Sequence, residues 1–166
     1  MHIEDIFEDL EAQFDASLQK NQRDVYTENV RALEVQTANH TTKELIAPII
    51  GSEFLAGLDS LTPIWHIYPT GSVRKITLHS QVDESLPKLR AVPVKLESFL
   101  KTLPLPCAIR WRYAGTDEYL HQGNLHSIAQ SLLFIYVSGS SMPIAVPILA
   151  LGQLSIESVD NLNGDF

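Results

Sequence analysis

Phe54-Leu-Ala-Gly57-Leu-Asp-Ser60-Leu-Thr-Pro-Ile64-Trp65-His-Ile-Tyr68 and Leu120-His-Gln-Gly123-Asn-Leu-His-Ser127-Ile-Ala-Gln-Ser-Leu132-Leu-Phe-Ile-Tyr136 are the two stretches that decide the fold. Each places a glycine before an apolar–polar alternation, then a small polar turn, then a strongly apolar strand. Period-two alternation is the mark of a strand with one buried face. A glycine inside such a strand permits a sharp bend where a side chain would crowd the fold. Val73 to Leu78 follows the first stretch and Ile144 to Ile148 the second, so the two read as copies of one β unit. Small, strongly bent antiparallel modules are expected, and the order resembles that of Sm-like or SH3-like barrels or half-barrels.

Upstream, residues from about 3 to 35 read as a long helix. Ile3, Phe7, Leu10, Phe14 and Leu18 recur at spacings of three and four, one apolar face of a 3.6-residue period. Glu4, Asp5, Glu8 and Asp9 crowd its start, where the helix dipole favours negative charge. Thr41 or Thr42 caps a second, short helix over Lys43 to Ile50. The expected class is therefore α+β. A helical N-terminal region occupies 1–50, a first β module 51–86, a Pro-rich connector with a short helix 87–106, a second β module 107–159, and a tail 160–166. Within the connector, Val94 to Leu103 carries the helix.

The chain of 166 residues has room for one ordinary domain or two very small ones, and 45% apolar residues let it bury a core. Twenty acidic against twelve basic side chains leave a formal charge of −8. That balance disfavours non-specific binding to phosphate backbones. Cys107 is the only cysteine, so no internal disulfide forms, and a reducing, cytoplasmic location is expected. The start, Met-His-Ile-Glu-Asp, lacks the basic and apolar regions of a secretory signal. From Ile128 to Ile156 there is no Asp, Glu, Lys or Arg. Gln130, Ser131, the Ser138-Gly139-Ser140-Ser141 turn, Pro143 and Pro147 interrupt that run. It reads as short buried strands rather than a membrane span.

Over most of its length the chain resembles an uncharacterised family of actinobacterial proteins. The resemblance rests on the acidic start Asp5-Ile-Phe7-Glu-Asp-Leu10-Glu-Ala-Gln13, on Gly57 with the later Trp65, and on Val146-Pro147-Ile148-Leu-Ala150-Leu151. It departs from the family pattern in a short strand after Gly51. The resemblance implies the helix and the two β segments and carries no activity.

Chemical motifs are sparse. His121 and His126 are five apart in a strand, on opposite faces, and make poor joint metal ligands. Cys107 enters a strand between Pro106 and Ala108 and reads as a buried, inert thiol. No serine lies in Gly-x-Ser-x-Gly, and no phosphate-loop or paired-cysteine motif occurs. The acidic residues from Glu4 to Asp15 read as a solvated helix face rather than a cation site. No cofactor, metal or catalytic residue is expected. The function expected is a non-enzymatic protein-interaction or scaffold module. It meets a protein partner, or a second copy of itself, through the stripe Ile3, Phe7, Leu10, Phe14 and Leu18. Nucleic-acid binding is the alternative, through Arg110-Trp111-Arg112-Tyr113 with Lys88, Arg90, Lys95 and Lys101. There the arginines and the aromatics fall on opposite faces, which weakens it. A hydrolase or metalloenzyme without a recognisable motif comes third.

Overall fold

The computed structural model describes residues 30–37, 42–79, 85–115 and 119–157. These form eleven strands joined in one sheet, almost entirely antiparallel. The only α-helix among them is α1 (Leu96–Leu100). The expected α+β class is thus corrected to nearly all-β.

The predicted long helix fails over its last part, where β1 (Ala32–Thr37) is a strand. Val30 and Leu33 have helical spacing, but Leu33 and Val35 are buried around an exposed Glu34, the alternation of a strand. The strand pairs on both sides, with β2 (Thr42–Ser52) and β5 (Val73–His79). Ile3, Phe7, Leu10, Phe14 and Leu18 lie outside the described residues. The second predicted helix, Lys43 to Ile50, is strand β2 itself. Pro48 sits inside β2 because the ladder breaks there. Its register with β3 (Phe54–Asp59) shifts between Ile46 and Ile49, and Ala47 takes a φ of 49°. A bulge is where a strand tolerates a residue with no N–H.

The strands expected from alternation are present: β3, β4 (Ile64–Pro69), β5, β7 (Cys107–Tyr113), β8 (His121–Ala129), β9 (Leu132–Tyr136), β10 (Ile144–Pro147) and β11 (Leu151–Glu157). The connector holds α1 and also β6 (Arg90–Lys95), which pairs parallel to the far end of β2. No described helix is long and apolar enough to cross a membrane. The uncharged run from Ile128 to Ile156 instead contributes β9, β10 and most of β11.

The β units are not two separate modules. β1, β2, β3 and β4 are successive antiparallel neighbours, and β5 returns after a 3-10 turn (Thr70–Ser72) to pair with β1. β7, β8, β9 and β10 are likewise successive, and β11 returns after a 3-10 turn (Ile148–Ala150) to pair with β7. The two runs match strand for strand only if β3 corresponds to β9. Aligning Gly57 with Gly123 puts β3 against β8, one strand out of step. β11 also pairs with β4, which makes the two runs one continuous sheet.

Two apolar clusters lie on opposite faces of that sheet. The larger collects Phe54, Trp65, Ile67, Trp111, Leu133 and Leu154, with α1 laid on it through Phe99 and Leu100. The Phe54 and Phe99 rings are 4.9 Å apart. The smaller gathers Leu33, Val35, Leu45, Leu55, Tyr68 and Val73 beneath the first run. Where this second face continues over β4, β11, β7 and β8, its side chains turn polar.

Candidate functional site

Directly opposed residues of antiparallel strands share a face. The register therefore sets Gly57, His66, Ser155, Arg110 and Gln122 in one row across β3, β4, β11, β7 and β8. From His66 to Gln122 the row floors an open groove of about 630 Å³, which Arg112 and Gln153 also help to line.

At its centre is a buried hydrogen-bonded chain. His66, Asp59 and Ser155 are 6%, 6% and 7% exposed. Asp59 Oδ2 lies 3.0 Å from His66 Nε2, and Asp59 Oδ1 accepts the Leu61 amide at 2.8 Å. Lys43 Nζ stands 3.0 Å from the same Oδ2 from the solvent side. On the other side of the ring, His66 Nδ1 lies 2.9 Å from Ser155 Oγ and 3.1 Å from Gln153 Nε2. Gln153 Nε2 donates to Ser155 Oγ at 3.2 Å.

Electrostatics fixes the direction of this chain. Burial on its own would raise the Asp59 pKa, but the Leu61 amide, His66 and Lys43 outweigh it and hold the carboxyl well below the usual carboxylate range. Asp59 is therefore an anion that only accepts. Burial, aided by the charge of Lys43 and opposed by Asp59, pushes His66 below the ordinary imidazole value. A neutral ring beside an anion carries its proton on Nε2 and gives it to Asp59. Nδ1 is then an acceptor facing two donors, the Ser155 hydroxyl and, slightly farther, the Gln153 amide nitrogen. The polarity runs Ser155 O–H to His66 to Asp59. Tyr68 closes the groove beside this chain, and burial, then the Asp59 carboxylate, raise its hydroxyl pKa.

Arg110 is exposed, and Arg112 is half-buried with its Nε enclosed and making no hydrogen bond. Both belong to the groove. Trp111, 2% exposed, and the half-buried Tyr113 face the opposite way, Trp111 into the larger core. Lys88, Arg90, Lys95 and Lys101 lie on or near β6 and α1, and the structure does not bring them to the groove. Lys101 stands 3.7 Å from Glu97.

His121 packs on Trp111 at 5.4 Å between ring centroids, and His126 on Tyr136 at 4.5 Å. No group of three or more His, Cys, Asp or Glu among the described residues is arranged to hold a metal ion. Cys107 is half-buried at the start of β7, and burial pushes its thiol pKa up, so the thiolate is disfavoured.

Asp59, His66, Gln153 and Ser155 escaped the sequence reading. His66 and Ser155 are 89 residues apart. The one local signal was a pair of polar residues, Asp59 and His66, inside otherwise apolar strands. No family model matches the chain, and no curated protein matches it.

Proposed function

We propose that the chain is a binding module that takes an acidic segment of a partner protein into this groove. The observation that carries the reading is the pair Arg110 and Arg112, which with Lys43 outnumber Glu157 among the charged side chains lining one groove, in a chain whose net charge is −8. Two arginines two residues apart on a strand present parallel forks to carboxylates, which they bind in bidentate fashion. Gln122, Asn124 and Gln153 add neutral donors and acceptors for a peptide backbone. A volume of about 630 Å³ suits a few residues of chain. Trp111 is enclosed in the core and cannot stack a base, which favours a peptide over a single-stranded nucleic acid.

The test is fluorescence anisotropy with a labelled hexaglutamate peptide and a labelled hexanucleotide. The peptide should bind, weaken as salt rises, and weaken at least tenfold in Arg110→Ala/Arg112→Ala. Peptide affinity indifferent to that double substitution, or tighter binding of the oligonucleotide, overturns the reading.

A further inference from the structure

We propose that Ser155 is a nucleophile, activated by His66 and positioned through Asp59, and that the groove hydrolyses carboxylic esters by way of an acyl-Ser155 intermediate. This goes beyond capture of a partner and does not depend on it.

The argument rests on geometry and polarity together. A hydroxyl becomes a nucleophile when a neutral acceptor takes its proton and a third group holds that acceptor in the right tautomer. The Ser155 Oγ–His66 Nδ1 separation of 2.9 Å and the His66 Nε2–Asp59 Oδ2 separation of 3.0 Å meet this requirement. The two contacts leave the ring from its two nitrogens, so a proton gained at Nδ1 is stabilised at Nε2 by the carboxylate. Gln153 Nε2 donates to Oγ at 3.2 Å and stands 3.1 Å from Nδ1, so the Ser155 hydroxyl, at 2.9 Å, is the closer of two donors to that nitrogen. A buried imidazole needs a partner on each nitrogen; here the partner of Nδ1 is a hydroxyl that lines an open groove, where an ester could reach it. Arg110 is the register partner of Ser155 on β7 and lines the same groove, so we assign it to meet the negative charge that develops on a carbonyl oxygen attacked by Oγ.

The steps balance. Ser155 Oγ forms a bond to the ester carbonyl carbon, and its proton passes to His66 Nδ1. The tetrahedral oxyanion collapses, the bond to the alcohol oxygen breaks, and Nδ1–H protonates the leaving alcohol. Water then attacks the acyl carbon and gives a proton to His66. Ser155 Oγ leaves, takes that proton back, and the carboxylic acid is released. One ester and one water become one acid and one alcohol. Catalytic roles fall to Ser155, His66 and Arg110; Asp59 is a positioning residue.

The wild-type protein is treated with a small fluorophosphonate, which needs no anion recognition, and the modified residue is located by peptide mass mapping. In parallel, p-nitrophenyl acetate hydrolysis is followed from pH 5 to 9. Label on Ser155 is expected, with hydrolysis lost at least a hundredfold in Ser155→Ala and in His66→Gln. Asp59→Asn should slow labelling and move the midpoint of its pH profile downward, because the carboxylate supports the imidazolium. A wild-type protein left unlabelled at Ser155, or one that hydrolyses the ester no faster than Ser155→Ala, overturns the proposal. Peptide binding by a wild-type protein that is not labelled at Ser155 would separate this outcome from failure of the binding reading.

Discussion

Stability should fall as pH drops below the ordinary imidazole value, and His66 should be the cause. Its folded-state pKa is lowered, first by burial. Below about pH 6.5 the unfolded chain therefore takes up a proton that the folded chain refuses. Stability from this residue is complete above that pH and is lost as pH falls toward the folded value. The ceiling follows from linkage: at pH 5.5, a ring still neutral in the folded chain costs at most about 1.4 kcal/mol relative to pH 8. For a chain of this size that corresponds to a drop of about 3–6 °C in Tm. Burial sets the sign, and the charged groups facing the ring modify it: Asp59 opposes the loss, while Lys43 adds to it. Urea unfolding of wild type and His66→Gln at half-unit pH steps, read by tryptophan fluorescence, isolates the contribution. The variant starts from a different stability, so the readout is the slope. Wild type should lose up to about 1.4 kcal/mol more than the variant between pH 8 and 5.5. Parallel curves would refute a buried, neutral His66 and the hydrogen-bond polarity built on it.

Two further substitutions probe the frame around the groove. Trp65→Ala removes a side chain 1% exposed in the larger core and should cost about 3–5 kcal/mol; an unchanged melting temperature would show that Trp65 is not a core anchor. Gly123→Val should destabilise by about 1–3 kcal/mol, since a Cβ there would lie 2.6 Å from Ile135 Cγ2 and 2.8 Å from the Tyr136 carbonyl oxygen. Chemical denaturation measures it, and a neutral result would mean that β8 and β9 separate at no cost.

Val73 to Leu78 and Ala108 to Tyr113 were legible as strands from their alternation, and Leu132 to Val137 from its unbroken apolar run, most of which is β9. β1 and β2 were not legible, for two different reasons. Val30 and Leu33 share a spacing that suits a helix face as well as a strand end. β2 carries Ala47-Pro48 at a bulge and is buried from Ala47 to Gly51, so its alternation is erased where it is central. Arg110 and Arg112 could be placed on one face from the sequence. Their neighbours Ser155 and Gln153 could not, because that proximity is created by the pairing of β11 with β4 and β7. A contact made by strand pairing between distant segments leaves no local periodicity to read.

β11 has a consequence for the order in which the molecule is assembled. It is inserted between β4 and β7, and its partner Ile67 on β4 lies far back in the chain. During synthesis, β4 and β7 therefore wait with bare backbone edges until residue 157 has left the ribosome. The larger core also lacks Leu151, Leu154 and Ile156 until then. Loop closure over such a distance is slow relative to local hairpin formation. Until it closes, each bare edge is a template for the wrong strand. The nascent chain is thus most prone to aggregate just before β11 arrives, and a chaperone that shields β4 and β7 would act in that interval.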